Sequence, residues 1–284
     1  MKVLQVTERY PPAIGGVETH VENISLELSR LGVDVAVLTT DLMSVAPFRR
    51  LAGVTSSSEE RIQGIRVLRE RAYEVLPLPQ GLGVVAPAMA RRLGGFDLIH
   101  CHSYGHFPTF LAPLCAAKGI PCVITTHSDL GRYSFRKRAF DVVVPRATLS
   151  FASRIIALTN HEREALVQRG VKESAIEVIP NGVRVLPWKP HVKRNEGGRL
   201  LLYVGRVEID QKGLDVLLRA LDMLLREHRL PVHLRIVGPD GGGLARLEKL
   251  ASELRVSEMV EYLGVVSREG LADTMAEADV LVLP

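Results

Sequence analysis

The chain has 284 residues, 46% hydrophobic and 24% charged, with 24 Gly and 16 Pro; this usage fits folded globular units and excludes fibrous or disordered sequence. At about 150 residues per domain the length points to two units, each able to bury a core. The net charge of +4 is uneven, with 23 Lys plus Arg against 17 Asp plus Glu in residues 1–190 and 13 against 15 in 191–284, yet no concentrated basic stripe marks a duplex-binding surface, so an acidic small molecule or anionic surface is the expected partner and nucleic acid is not.

Lys2 to Thr7 reads as a buried strand. The polar and charged start through Arg9 lacks the apolar core of a secretion signal, and no apolar run approaches the ~18 to 20 residues of a membrane span. A cytoplasmic protein is expected, with peripheral contact at the inner face of a membrane as its one other placement. Val17, Val21, Ile24, Leu28 and Leu31 recur at helical spacing and Gly32 closes that helix. Strands follow at 33–39, 97–102, 121–126, 154–158 and 176–179, mostly β-branched runs bounded by turn residues. Cys101, Cys115 and Cys122 are odd in number and form no Cys-x-x-Cys pair, which predicts reduced thiols and neither a disulfide framework nor a zinc knuckle.

Residues 187–198 carry two prolines, charge and a glycine pair and read as a linker. The cycle then restarts: strand 200–204; a helix bearing Leu214, Leu217, Leu218, Leu221, Leu224 and Leu225; strand 233–237; helix 244–254; strand 260–263; helix 268–276; strand 280–283. Two doubly wound α/β domains in tandem are predicted, residues 1–186 and 199–284. In such sheets ligands sit beyond the carboxyl ends of the strands.

Gly15 and Gly16 open the first helix just after the first strand, where unpaired N–H groups attract anions; a plain tight turn explains the pair equally well. No Gly-x-Gly-x-x-Gly fingerprint is present, and the run from Gly238 to Gly243 does not fit that spacing, which disfavours a dinucleotide dehydrogenase. Arg206 leaves the end of a strand and Lys212 stands just before a helix, so both cations can converge on one anion and stabilise a departing diphosphate. The plain alternative is a solvated Arg206 with Lys212 paired to Asp210 or Asp215. His102 and His127 each end a predicted strand and can enter one crevice or simply pack in the core. His100 and His102 share a strand face, but the sequence places no third ligand and no metal is expected. Arg132, Arg136, Lys137 and Arg138, with Tyr133 and Phe135 among them, form either a solvated face or a site for an anionic acceptor or membrane surface.

Together the motifs make a recognisable series. Tyr10-Pro11-Pro12 with Gly15-Gly16-Val17-Glu18, Asp97 to Ser103, Thr125-Thr126-His127-Ser128, Ile179-Pro180-Asn181-Gly182-Val183, Val204-Gly205-Arg206 with Lys212-Gly213, Val237-Gly238 and Tyr262-Leu263-Gly264 resemble glycosyltransferase family 4 (group 1) of the GT-B fold. The resemblance implies retaining transfer of a sugar from a nucleotide-diphosphate sugar to a glycan, lipid or small-molecule acceptor, in the cleft between the domains, with no cofactor and no obligatory metal. It implies that Arg206 and Lys212 hold the diphosphate and that His127 contacts the sugar near the reacting centre. Gly15, Gly16, Gly205 and Gly238 would lie along the donor, the Val265-Val266 backbone would meet the nucleobase, and His102, Tyr104, Arg132 and Arg136 would face the acceptor. Family members continue past the last predicted strand into a segment bearing two glutamates, so the chain reads as a truncated member with an incomplete second domain. Two alternatives follow from this: a nucleotide- or sugar-binding module without turnover, and a GT-B epimerase of nucleotide-sugars.

Overall fold

The computed structural model describes residues 1–45, 48–54, 57–75, 83–127, 147–183 and 198–284. The chain separates into one unit over Met1–Val183 and another over Arg184–Pro284. The expected linker up to residue 197 and the basic cluster with Arg132 and Arg136 lie outside the described residues.

In the first unit, β1 (Lys2–Val6) leads into α1 (Gly16–Arg30) and β2 (Asp34–Thr40). Two short ribbons, β3 (Leu42–Val45) with β4 (Phe48–Arg50) and β7 (Tyr73–Glu74) with β8 (Val84–Val85), flank β5 (Ser58–Ile62) and β6 (Ile65–Glu70). After them come β9 (Leu98–His102), α2 (Ala112–Ala117), β10 (Cys122–Thr125), β11 (Arg154–Ala157), α3 (Asn160–Gln168) and β12 (Ile176–Val178). Eight described strands form one sheet in the order β12-β11-β10-β9-β1-β2-β6-β5, parallel except that β5 runs antiparallel to β6. Leu4, Val6, Ile99, Cys101, Cys122, Ile124, Ile155 and Ala157 form its apolar interior, as two-faced burial of a parallel sheet requires. All three cysteines are free and buried.

Two expectations need correction. Residues 58–70 carry no strand pattern legible in sequence, because β6 places Arg69 and Glu70 inside the fold at 1% and 2% exposure and charge there hides the alternation. Arg69 is held by Glu60 and by the Pro11 carbonyl, and Glu70 by Arg92 at 2.7 Å, which pairs the buried charges. The stripe on α1 also turns away from its predicted line: Val21, Glu22 and Ser25 are buried, whereas Leu31 is 79% exposed just past the helix end. Here α1 covers a small cluster of Tyr10, Val37, Ile65 and Val67, with Val17, Val21 and Leu26 packed on it.

The second unit contains β13 (Arg199–Val204), α4 (Ile209–Lys212), α5 (Leu214–Arg226), β14 (Val232–Val237), α6 (Leu244–Glu253), β15 (Val260–Gly264), α7 (Arg268–Glu277) and β16 (Val280–Leu281). Its parallel sheet runs β15-β14-β13-β16. Leu214, Leu217, Leu218 and Leu221 of α5 are all buried, the i, i+3, i+4, i+7 face that the leucine spacing predicts. Val280 and Leu281 pair with Leu201 and Leu202 of β13.

In each sheet one central strand has its successors on opposite sides: β1 lies between β2 and β9, and β13 between β14 and β16. The connections leaving such a strand and the adjoining strand on its other side diverge and leave a crevice at the carboxyl ends. At the end of β13 the crevice is floored by glycine. The Gly205 amide donates to Val237 O and the Gly238 amide to Gly264 O, both at 2.8 Å. Gly238 has φ +142, and a Cβ there would lie 2.1 Å from the Gly205 carbonyl oxygen. Gly238→Ala should therefore destabilise the protein by at least about 1 to 3 kcal/mol through strain and backbone overlap. Urea unfolding of the variant reads this directly, and wild-type stability would contradict the packing described.

Candidate active site

At the crevice beside β1, four histidines gather from three elements. His100 and His102 come from β9, His127 lies two residues past β10, and His20 sits on α1. The His20 ring meets His127 edge-on at 4.7 Å between centroids and His102 at 5.6 Å; His100 and His102 lie 4.2 Å apart. His102 is fully buried, with Nε2 2.7 Å from Gln5 Oε1 and Nδ1 3.0 Å from His127 Nε2. His100 Nε2 lies 2.7 Å from Thr125 Oγ1. The His102–His127 proximity expected from their strand ends is present. His102 was also expected to face the acceptor, but burial and two protein partners leave neither ring nitrogen free for that contact. Tyr104, expected there too, is 5% exposed.

Sequence reasoning misses His20 and Gln5. His20 follows Gly16 by four residues and so shares its helix face, which is a legible signal. Gln5 lies inside a strand and carries none.

His127 has φ +48, an uncommon backbone for a non-glycine residue. Its neighbours hold it there. Thr126 donates its hydroxyl to the buried Glu162 carboxylate, which also accepts from Leu158 N, and the Thr126 carbonyl accepts from Tyr104 N at 2.8 Å. Strain kept in place by surrounding bonds is common where a side chain must be aimed.

At the start of α1 the two glycines differ. A Cβ at Gly15 would lie 2.2 Å from Glu18 Oε2, while Gly16 has nothing within 4 Å. Glu18 is buried and pairs with Arg9 at 2.7 Å, so an acid already faces the helix N-terminus, where a negative charge is favoured. A side chain at Gly15 is therefore excluded, whereas the space beside Gly16 is open.

Burial keeps the imidazoles neutral. Desolvation, helped by the neighbouring His20, lowers the His100 pKa to about 3, and desolvation with the His20 and His100 charges does the same for His127. His102 falls well below the ordinary histidine value through desolvation and its three ring neighbours, and burial also lowers His20. His20, His102 and His127 each offer a nitrogen within 4.8 Å of the others, a metal-capable group that the sequence did not predict because its third member comes from α1.

In the second unit, Arg206 stands one residue past Gly205 at the end of β13. Its stem lies over Gly241, where a Cβ would come 2.7 Å from Arg206 Cγ and Cδ. The glycine run that fails the dinucleotide spacing thus serves as a floor for this side chain. Tyr203 Oη donates to Arg206 O at 3.0 Å, and Asp240 Oδ1 accepts from the amides of Gly242, Gly243 and Leu244 to cap α6. The Arg206 guanidinium is 43% exposed and 3.7 Å from Glu208, a loose pair of little energetic weight. Asp210 pairs with Arg246 at 2.9 Å, and Lys212, half-buried at the end of α4, has no ion-pair partner among the described residues. Arg206 is therefore solvated as the plain alternative has it, whereas the pairing of Lys212 with Asp210 or Asp215 that the alternative also required is absent among the described residues. Val265 and Val266 occupy the loop between β15 and α7, with Val265 53% exposed.

The neutral imidazoles make stability depend on pH. The unfolded chain protonates its histidines near pH 6.5 and the folded chain does not, so stability is full above that pH and falls as pH drops toward 3. Each buried imidazole removes up to about 1.4 kcal/mol per pH unit in that window. Urea midpoints should fall between pH 7 and 5 while the His100 and His102 NMR signals stay those of neutral rings; charged rings in the folded protein at pH 5.5 would contradict this.

Among the described residues no helix is long and apolar enough to cross a membrane. Residues 14–185 match the family Glycosyltransferase Family 4, and residues 187–284 match Glycosyl transferases group 1. The chain is 28% identical over 311 residues to the uncharacterized glycosyltransferase MJ1607 of Methanocaldococcus jannaschii, covering 100% of this chain and 74% of the relative. It is 27% identical over 289 residues to the GDP-mannose:cellobiosyl-diphosphopolyprenol alpha-mannosyltransferase of Xanthomonas campestris, covering 99% and 72%. The structure of Anabaena Alr3699/HepE in complex with UDP and glucose matches at TM-score 0.68 and 17% identity, over 100% of this chain and 74% of that one; the fold class is GT-B. A strand-end crevice in each of two Rossmann-like units, with family matches over nearly the whole length, identifies the chain as a member of glycosyltransferase family 4 carrying a group 1 region, a transferase that uses nucleotide-sugars.

Proposed function

We propose that the protein transfers a sugar from a nucleotide-diphosphate sugar to an acceptor hydroxyl with retention of anomeric configuration and without a metal or other cofactor. The bond from the anomeric carbon to the diphosphate oxygen breaks, a bond to the acceptor oxygen forms, and the acceptor proton leaves with the nucleoside diphosphate. Negative charge grows on the departing diphosphate. Arg206 and Lys212 are assigned to that charge, because cations fixed beforehand stabilise the transition state more than the ground state.

The observation that carries this reading is Arg206 at the end of the central strand. Its stem rests on Gly241, and its guanidinium is held only by a loose contact to Glu208, so a dianionic ligand can replace that partner. Gly205 and Gly238 remove side chains from the same crevice, and the Val265-Val266 backbone is assigned to the nucleobase. In the first unit, Gly16 gives a ligand access to the start of α1 and His127 is assigned to the donor sugar. The neutral state of His127 suits a hydroxyl partner. The bound UDP and glucose of the Anabaena structure support a nucleotide-sugar donor. The polyprenol-linked acceptor named for the Xanthomonas relative supports an acceptor carried at a membrane surface, reached from the cytoplasm by peripheral contact.

Arg206→Ala and Lys212→Ala should each lower turnover by roughly 10² to 10³ while changing stability by less than about 0.5 kcal/mol, as surface substitutions do. Release of nucleoside diphosphate from a panel of nucleotide-sugars reads turnover, and near-normal release by Arg206→Ala rejects the assignment. Product anomer analysis by NMR tests retention. Turnover should also survive dialysis against a chelator. Loss of activity that a divalent cation restores would reject the metal-free reading.

A further inference from the structure

Gln5 of β1, His102 at the end of β9 and His127 beyond β10 form a chain of two hydrogen bonds through a residue with no exposure. A neutral imidazole has one N–H and one lone pair, and an amide oxygen only accepts. His102 must therefore donate from Nε2 to Gln5 Oε1, which leaves a lone pair on its Nδ1. That lone pair accepts only if His127 carries its proton on Nε2. The remaining nitrogen of His127, Nδ1, is then a bare acceptor. Each step follows from the one before, and a buried Gln 122 positions away in sequence decides the state of a half-buried His.

We propose that Gln5 and His102 are positioning residues that fix His127 as the Nε2–H tautomer and make its Nδ1 an acceptor for a sugar hydroxyl. The proposal rests on the assignment of His127 to the donor sugar and goes beyond it, because it states which group His127 can bind. A hydroxyl can donate to Nδ1, whereas a fully ionised phosphate oxygen has no proton to give and is rejected. The site thus selects the glycosyl part of the donor against its diphosphate at this position. Two further observations fit. The backbone of His127 is held at φ +48 by the Thr126–Glu162 bond, which limits the ring's freedom to turn away. The Gln5 amide oxygen is the atom placed 2.7 Å from His102 Nε2, with the amide nitrogen buried and without a partner among the described residues, and this orientation sets the direction of the chain. A reversed amide would donate to His102 and invert both rings, leaving His127 Nδ1 a donor.

Long-range ¹H–¹⁵N NMR of the uniformly labelled full chain at pH 7.5, with no donor present, reads the tautomer. His127 signals are assigned by their loss in His127→Gln. The expected pattern is a protonated Nε2 and an unprotonated Nδ1; the opposite pattern, or an even mixture, overturns the proposal. In Gln5→Met, which keeps the volume and removes the acceptor, the His127 pattern should shift to a mixture and kcat/KM should fall about tenfold, the value of one net hydrogen bond. An unchanged pattern in a folded Gln5→Met protein also overturns it. If that variant fails to fold, the wild-type pattern alone decides. Because the tautomer is measured without substrate, the expected pattern combined with unimpaired transfer by His127→Gln would reject the sugar-contact assignment and leave the relay standing.

Discussion

A parallel strand whose successors pack on opposite sides leaves its carboxyl end uncovered, and both crevices of this protein follow from that constraint. β1 and β13 hold this place in their sheets. The groups assigned to chemistry lie at a strand end, in the loop that leaves it, or in the helix that follows. The sheets supply rigidity, since their apolar interiors are continuous, while the loops supply polarity without having to fold on their own.

The two crevices solve different electrostatic problems. The first holds largely buried imidazoles, whose pKa burial lowers far below the ordinary value; neutral rings of this kind can meet hydroxyls through directed lone pairs and N–H bonds. The second keeps a cationic group near solvent on a glycine floor, the arrangement that suits a mobile, strongly charged diphosphate. These two kinds of group are the ones assigned, under the proposed function, to a sugar and to its leaving diphosphate. In the second crevice the Arg206 stem is placed beforehand on Gly241, while its guanidinium can exchange the loose Glu208 contact for a ligand.

Buried polar residues cluster around the first crevice: Gln5, Glu8, Glu18, His100, His102 and Glu162 are each less than 10% exposed. Such groups weaken a core unless they are bonded. Arg9 meets Glu18, His106 meets Glu8 at 3.2 Å, and Thr126 meets Glu162. The network therefore accepts some instability in exchange for defined side-chain orientations, and the pH dependence derived above is its thermodynamic trace.

The sequence by itself determined the class of fold, the leucine face of α5, the three reduced thiols and the strand-end positions of His102, His127 and Arg206. These are properties of local periodicity and turn chemistry, which neighbouring residues write directly. It did not show β5 and β6, since Arg69 and Glu70 sit where apolar residues were expected. Only the tertiary structure decided that His20 joins His102 and His127, that Gln5 meets His102 from 97 residues away, and that Gly241 lies beneath Arg206. Those contacts depend on strand order, register and the path of each crossover. Such quantities are set by how whole elements pack, and no local pattern of residue types encodes them.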